Sequence, residues 1–294
     1  MLRDTLKGTG VALVTPFKKD QSIDFAALEN LIEIQIKGGI DYIVTLGTTG
    51  ESVTLTEKEK IEVFNFTIDK VNGRLPIVIG IGGNNTASVI EAFGKFDLSK
   101  VVAILSVAPY YNKPTQEGLF QHYTSLANVA PKPIILYNVP GRTGSNMLAE
   151  TTLELAKIEN IVAMKEASGN MEQIMELIRL RPEGFGILSG DDAITMPLIA
   201  AGADGVISVV ANALPEKFAK MVKASVEENL LVARKEHYDL LPITKMFFEE
   251  GNPGGVKIAL AKRSVMNSHM RLPLVQVSEG LKNRIEKEIE SLLK

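Results

Sequence analysis

The chain has 294 residues, 45% of them hydrophobic and 23% charged, proportions that suit a globular protein of one large or two small domains. Its formal net charge is -3, and no run of lysine and arginine is interleaved with aromatic residues, which argues against nucleic acid and anionic lipid as main partners. Cysteine is absent, which excludes disulfides and thiolate chemistry. Because no apolar stretch reaches about 18 residues, we expect a cytoplasmic protein with no membrane partner.

Eight short apolar runs alternate with segments of helical spacing. Their starts lie roughly 20 to 35 residues apart, the length of a strand-loop-helix unit. Eight such units predict an α/β fold, a closed (β/α)8 TIM barrel, rather than the alternative of a doubly wound open sheet. The runs cover residues 10–14, 42–46, 77–81, 101–107, 134–137, 161–164, 185–188 and 205–210.

The strand pattern stops after residue 210, and helical spacing continues to the end of the chain. Three further helices are predicted over residues 230–241, 256–266 and 281–293, separated by breaks at Pro242, Pro253 and Pro273. We therefore predict a catalytic barrel over residues 1–224 and a C-terminal helical region over residues 225–294.

Lys165 directly follows the apolar run 161–164. The last residue of a buried parallel strand points toward the mouth of the sheet, where ligands bind. A lysine amine that is partly desolvated there can lose its proton and act as a Schiff-base nucleophile. The alternative, which is commoner for lysine, is a strand-end side chain with its ammonium in water.

The loop after the second run has the sequence Gly-Thr-Thr-Gly-Glu-Ser over residues 47–52. Its glycines allow backbone amides and the hydroxyls of Thr48 and Thr49 to approach an anion closely. The loop lacks the Gly-Lys-Ser/Thr ending of a phosphate loop, so a small carboxylate is the better ligand. A plain tight turn before a capped helix is the alternative.

Two further loops carry candidate site residues. Tyr137 ends the fifth run, on the strand beside that of Lys165 and at the same height, so its phenol could move protons at an imine carbon. Arg142, five residues on, could hold a substrate carboxylate through two hydrogen bonds. A buried structural tyrosine and a solvated arginine are the alternatives. Tyr110 and Tyr111, after the fourth run, could be packing or interface residues or could direct their hydroxyls at the site.

Metal chemistry is not expected. His122, His237 and His269 are scattered along the chain, and none lies at ligand spacing from another. An aldolase reaction would therefore need the amine route through a lysine. Asp191 and Asp192, after the seventh run, are predicted to cap the next helix.

Five segments together closely resemble the dihydrodipicolinate synthase family (4-hydroxy-tetrahydrodipicolinate synthases), within the N-acetylneuraminate lyase-like class I aldolases. The likeness runs nearly from end to end. The segments are Gly-Thr-Thr-Gly-Glu at 47–51, Tyr-Tyr-Asn-Lys-Pro-Thr-Gln-Glu-Gly at 110–118, Tyr-Asn-Val-Pro-Gly-Arg-Thr-Gly at 137–144, Lys-Glu-Ala-Ser-Gly-Asn at 165–170 and Asn-Pro-Gly-Gly-Val-Lys at 252–257.

The resemblance implies a lyase that condenses pyruvate with L-aspartate 4-semialdehyde, giving 4-hydroxy-tetrahydrodipicolinate on the route to diaminopimelate and lysine. It implies that Lys165 forms an imine with the ketone of pyruvate, so that no cofactor and no metal are needed. Thr48, Tyr137 and Tyr111 would form the proton relay, with Tyr111 supplied by a neighbouring subunit. The active unit would then be at least a dimer, and a homotetramer built as a dimer of dimers is implied.

The resemblance also implies how the two substrates are held. Thr49, with backbone near Tyr137, Gly190 and Ile207, would bind the carboxylate of pyruvate. Arg142 would bind the carboxylate of the semialdehyde.

The resemblance leaves one difference and two alternatives. Lysine-inhibited members carry a glutamate at the position of Ser88 and a histidine at that of Lys60, so we expect weak or absent feedback by lysine here. A sugar-acid aldolase would keep the lysine enamine and change the acceptor. A catalytically silent barrel that only binds a keto acid is the other alternative, because fold alone does not fix function.

Overall fold

The computed structural model describes residues 2–293 and contains a closed barrel of eight parallel strands. Each strand pairs with the next in sequence, and the eighth pairs with the first. The predicted TIM barrel is confirmed, and the open sheet is excluded because no strand edge is left unpaired in the ring. The strands are β1 (Gly8–Ala12), β2 (Tyr42–Thr45), β3 (Ile77–Gly80), β4 (Ala103–Val107), β5 (Ile134–Asn138), β6 (Ile161–Glu166), β7 (Gly186–Ser189) and β8 (Gly205–Ser208).

Helices lie between the strands, cover the outside of the barrel and continue beyond it. Because parallel strands need crossover connections, the helices between β1 and β8 return the chain to the same end of the barrel each time. The α-helices are α1 (Leu2–Thr5), α2 (Phe25–Lys37), α3 (Glu57–Val71), α4 (Thr86–Phe93), α5 (Gln116–Val129), α6 (Pro140–Thr143), α7 (Ala149–Leu155), α8 (Met171–Leu180), α9 (Thr195–Ala200), α10 (Pro215–Val226), α11 (Leu230–Glu249), α12 (Gly254–Lys262) and α13 (Glu279–Leu292).

Helix α11 shows one error in the sequence prediction, because it continues through Pro242 without a break. Proline removes one backbone donor from a helix, and the freed carbonyl lies four residues earlier, at Tyr238. Both residues are exposed, so water can solvate that carbonyl. Buried residues on the other face of α11, including Ile243 and Phe247, hold the helix against the rest of the protein. The division of the chain at residues 224 and 225 stays a prediction.

The core has two layers, because side chains alternate between the two faces of each strand. Val44 points into the barrel, whereas Ile43 packs in the larger cluster between the strands and the helices. Tyr42, also fully buried, belongs to the inner layer and donates a hydrogen bond from its hydroxyl to the carbonyl of Val206 at 3.1 Å. Its ring requires glycine at position 10 on the neighbouring strand, since a Cβ on Gly10 would lie 2.2 Å from the ring.

His122 in α5 gives the fold a specific sensitivity to acid. It is buried, its Nδ1 lies 2.8 Å from the hydroxyl of Thr86, and burial lowers its pKa from 6.5 to about 4. Between pH 6.5 and 4 the His122 imidazole is therefore protonated in the unfolded chain and neutral in the folded chain. The free energy of unfolding falls as the pH falls through this window.

In His122→Gln we expect this part of the pH dependence to disappear. In the wild type, His122 should lower the free energy of unfolding by roughly 3 kcal/mol between pH 6.5 and 4, at about 1.4 kcal/mol per pKa unit. Urea unfolding of both proteins at several pH values between 4 and 7 measures it. Parallel pH profiles for the two proteins would contradict the assignment.

Candidate active site

A cavity of about 410 Å³ opens at the carboxyl ends of the strands, where TIM barrels bind their ligands. Five of the predicted site residues lie on its wall: Thr48, Thr49, Tyr137, Arg142 and Lys165. The other lining residues include apolar residues from the strand ends, Tyr110 and a second lysine, Lys60. A small molecule with one carboxylate fits a cavity of this size and composition.

Lys165 and Tyr137 meet at the bottom of this cavity. They are paired residues of β6 and β5, so the predicted equal height of the two side chains is confirmed. Lys165 is only 6% exposed, and its Nζ lies 4.3 Å from the centroid of the Tyr137 ring. Within residues 2–293 no carboxylate lies within ion-pair distance of this amine. A buried lysine without a carboxylate partner is the arrangement that a Schiff-base nucleophile requires.

The residues that follow Lys165 and Tyr137 form a buried polar network that the sequence analysis missed. Glu166 Oε2 accepts hydrogen bonds from Asn138 Nδ2 at 3.0 Å and from Gln173 Nε2 at 3.1 Å. Burial raises the pKa of Glu166, and the hydrogen bond from Asn138 opposes that rise. The network joins the ends of β5 and β6 from the helix side, so it holds the two candidate catalytic side chains in register. The available signal was a polar residue at positions 138 and 166, at the end of each strand, where a buried parallel strand is otherwise apolar on both faces.

Gly190 lies close to Lys165, and neither Gly190 nor Ile207 lines the cavity. The amide of Gly190 donates to the carbonyl of Glu166 at 2.7 Å, and a Cβ on Gly190 would lie 3.0 Å from Lys165 Cε and 2.8 Å from the Cβ of Ala167. Glycine is therefore the residue that leaves room for the lysine side chain. Ile207 is 1% exposed and packs inside the barrel, in the same cluster as Tyr137.

The two aspartates after β7 have different roles. Asp191 accepts from the amide of Ala193 and caps the short 3-10 helix that follows, as predicted. Asp192 is not a cap, because its carboxylate accepts from the amides of Val209 at 2.9 Å and Val210 at 3.2 Å. Burial raises the pKa of Asp192 to about 6. Its carboxylate ties the loop after β7 to the loop after β8, which the local sequence could not indicate.

The Thr48–Thr49 loop has a constrained backbone. Leu46 and Glu51, at its two ends, have left-handed φ values of 56° and 51°, which ordinary residues rarely adopt. Thr15 donates from its hydroxyl to the carbonyl of Gly50 at 2.6 Å. Thr48 is exposed to the cavity, whereas Thr49 is 3% exposed. Contacts from elsewhere must hold such a conformation in place.

Those contacts come from the C-terminal region. Lys257 of α12 forms a fully buried ion pair with Glu51, and its Nζ also donates to the carbonyls of Thr15 at 2.9 Å and His269 at 3.0 Å. Burial lowers the pKa of Lys257 to about 8, and the neighbouring Glu51 carboxylate opposes that shift. In the sequence, Lys257 is separated from Glu51 by about two hundred residues and was noted only within the resembling segment 252–257.

Arg142 and Tyr111 lie on the outer side of the site. Arg142, on the short helix α6, is exposed and reaches the cavity wall. Tyr111 is 88% exposed with a left-handed φ of 74°, and it is not part of the wall in this chain. The structure therefore brings Thr48 and Tyr137 to one cavity and leaves Tyr111 pointing into solvent.

Among residues 2–293, no group of three or more histidine, aspartate or glutamate side chains has an arrangement that could hold a metal ion. None of the helices in that range combines the length and the apolar character needed to cross a membrane.

Known proteins resemble this chain over nearly its whole length. The profile of the Dihydrodipicolinate synthetase family matches residues 5–292. A 4-hydroxy-tetrahydrodipicolinate synthase of Flavobacterium psychrophilum is 51% identical over 280 residues, which cover 95% of this chain and 96% of that protein. A dihydrodipicolinate synthase structure from Aquifex aeolicus has a TM-score of 0.94 at 39% identity, covering 98% of each chain. The chloride-inhibited dihydrodipicolinate synthase of Acinetobacter baumannii, complexed with pyruvate, has a TM-score of 0.94 at 38% identity, covering 97% of this chain and 98% of its own.

Proposed function

Because this chain belongs to the dihydrodipicolinate synthetase family, we propose that the cavity around Lys165 is where the family reaction takes place. The protein is a lyase that condenses pyruvate with L-aspartate 4-semialdehyde to 4-hydroxy-tetrahydrodipicolinate, in lysine and diaminopimelate biosynthesis. One observation carries the site assignment. The buried amine of Lys165 lies beside the Tyr137 ring at an open cavity, and no carboxylate of residues 2–293 forms an ion pair with it.

Lys165 supplies the nucleophile in this proposal. Its Nζ adds to the ketone carbon of pyruvate, and loss of water leaves an imine. The protonated imine withdraws electrons from the methyl group, which loses a proton and becomes an enamine carbon. That carbon bonds to the aldehyde carbon of the semialdehyde, whose oxygen takes up a proton. The semialdehyde's own amine then attacks the imine carbon, which closes the ring and releases the lysine, so the route uses no metal and no organic cofactor.

Tyr137, Thr48 and Tyr111 are proposed to move the protons. Tyr137 lies against the amine that must gain and lose protons, and Thr48 faces the same cavity. The exposure of Tyr111 supports its use by a neighbouring copy of the chain, because a tyrosine so open to solvent has a large surface to bury at an interface. The active unit would then be at least a dimer. The homotetramer and the cytoplasmic location stay predictions.

Thr49 is proposed to bind the carboxylate of pyruvate, with backbone groups near Tyr137, Gly190 and Ile207. Thr49 lines the cavity, and hydroxyls and backbone amides are suitable donors to a small carboxylate. The close packing of Gly190 against Lys165 supports its place next to the reacting amine.

Product formation tests which aldehyde is the acceptor substrate that the enamine attacks. With pyruvate and L-aspartate 4-semialdehyde we expect the cyclised product to accumulate, and we expect no cleavage of N-acetylneuraminate or keto-deoxy sugar acids. Direct chromatographic analysis of both incubations measures this. Efficient cleavage of a sugar acid, without turnover of the semialdehyde, would instead favour the sugar-acid aldolase.

Arg142→Ala should impair use of the semialdehyde more than formation of the pyruvate imine. Loss of a charge-assisted pair of hydrogen bonds predicts a roughly ten- to hundredfold rise in the KM for semialdehyde. Arg142→Lys keeps the charge without the two parallel donors, so its KM for semialdehyde should lie between those of the wild type and Arg142→Ala. Steady-state kinetics in both substrates measure the effect, with Arg179→Ala, on the exposed surface of α8, as the matched control. Unchanged semialdehyde kinetics in Arg142→Ala would remove this role.

A further inference from the structure

Asn252, which precedes α12, makes a direct contact with the candidate pyruvate site from the far end of the chain. It is 7% exposed, and its Nδ2 lies 3.0 Å from the hydroxyl oxygen of Thr49, across 203 positions of sequence. Within residues 2–293 this is the hydrogen bond that the Thr49 hydroxyl makes. No part of the reaction described above uses Asn252.

This contact determines whether the Thr49 hydroxyl is free to donate its hydrogen or must accept one. A threonine hydroxyl has one hydrogen to donate and two lone pairs that can accept. When the amide N–H of Asn252 occupies a lone pair of Thr49, the hydroxyl hydrogen stays available for another acceptor. Because Thr49 stands on the cavity wall, that acceptor can be a bound anion.

We propose that Asn252 is a positioning residue that keeps the Thr49 hydroxyl as a donor toward the carboxylate of pyruvate. This inference rests on the proposed binding of that carboxylate by Thr49. It assigns to the C-terminal region a direct part in recognising the first substrate, in addition to its packing against the barrel.

The surroundings of Asn252 fix the backbone segment that carries it. Five residues later, Lys257 is locked to Glu51 of the same loop by the buried ion pair. Between them, Gly255 lies so close to α11 that a Cβ would come within 2.6 Å of the Cα of Phe247. The segment from 252 to 257 is therefore packed between the Thr48–Thr49 loop and α11, which places Asn252 beside Thr49.

Asn252→Asp tests the polarity, because aspartate has nearly the same shape but its carboxylate can only accept. It would take the hydrogen of Thr49 and leave lone pairs, with an added negative charge, facing the substrate carboxylate. We expect the KM for pyruvate to rise roughly ten- to hundredfold. The KM for semialdehyde and the kcat at saturating pyruvate should change little. Asn252→Ala, which leaves the hydroxyl free to rotate, should give a smaller rise and also serves if the aspartate variant does not fold.

Thr49→Val distinguishes a failure of this inference from a failure of the proposed function. The double variant Thr49→Val/Asn252→Asp distinguishes an effect on the Thr49 hydroxyl from an effect of the added charge. If Thr49→Val leaves the KM for pyruvate unchanged, the role of Thr49 is wrong and the inference falls with it. If Thr49→Val raises that KM and Asn252→Asp does not, the inference alone is overturned, because the native amide then presents its oxygen to Thr49. If Asn252→Asp is as harmful in the Thr49→Val background as alone, the added charge and not the hydroxyl is responsible, which also overturns it.

Asn160→Asp is the matched control. The Asn160 amide donates to the carbonyls of Ala127 at 3.0 Å and Ala130 at 3.1 Å, just before β6 and at the opposite end of the barrel from the cavity. This variant introduces the same chemical change into a partly buried asparagine and should lower stability without changing the KM for pyruvate. The pyruvate dependence of borohydride trapping gives a second readout that does not require the semialdehyde.

Discussion

Lys165→Ala is expected to lose turnover by roughly four orders of magnitude or more, the scale seen when a covalent nucleophile is removed. It should remain folded, because the lysine amine forms no ion pair within residues 2–293 and its side chain borders an open cavity. After incubation with pyruvate and borohydride, the wild-type peptide containing Lys165 should gain the mass of the reduced pyruvate adduct. The variant should gain none.

Lys60→Ala is the control for this experiment, since it removes the second lysine of the same cavity. It should keep the covalent adduct at Lys165. An adduct that persists in Lys165→Ala, or that maps to Lys60, would show that the wrong amine has been assigned. A wild-type protein that forms no adduct would favour the catalytically silent barrel.

Lys257→Met is expected to destabilise the protein by roughly 3 to 5 kcal/mol, the cost of leaving a buried charge without its partner. The variant removes the ammonium partner of the buried Glu51 carboxylate and leaves it the backbone amide of Arg271, at 3.3 Å, as a donor. We also expect a lower kcat/KM for pyruvate, because Glu51 is the left-handed residue at the end of the Thr48–Thr49 loop. Urea unfolding and steady-state kinetics measure the two effects.

Two further variants show whether the pair itself is responsible. Glu51→Gln combined with Lys257→Met removes both charges and should cost less than the sum of the single substitutions. Arg181→Met breaks an ion pair with Asp204 that lies away from the cavity and is partly buried. It should reduce stability and leave pyruvate kinetics unchanged. Additive losses in the double variant would show that Glu51 and Lys257 stabilise the fold independently.

The strands and the main site pair could be predicted because each depends on a short local pattern. A buried parallel strand appears as a continuous apolar run, and a lysine at the end of such a run stands out. Once β5 and β6 are neighbours, the ends of the two runs place Tyr137 beside Lys165, as the structure confirms. The ends of the strands were less well determined, and β6 continues one residue beyond Lys165, to Glu166.

The missed features depend on contacts between distant segments. The pairing of Glu51 with Lys257, and of Asn252 with Thr49, has no periodic signature, because a single buried contact repeats nothing along the chain. Pro242 was treated as a break because proline disfavours a helix interior, but tertiary packing of α11 outweighs that local preference.

The anchoring of an early loop by a late helix has a consequence for the protein during its synthesis. Strands β1 to β8, together with the nucleophilic amine, leave the ribosome before residues 252–257 do. At that stage all eight strands are available to pair, but the loop with two left-handed residues has neither its ammonium partner nor its amide donor. The capacity to capture a keto acid should therefore emerge abruptly, once residues 252–257 have joined the barrel, and not gradually as the barrel closes.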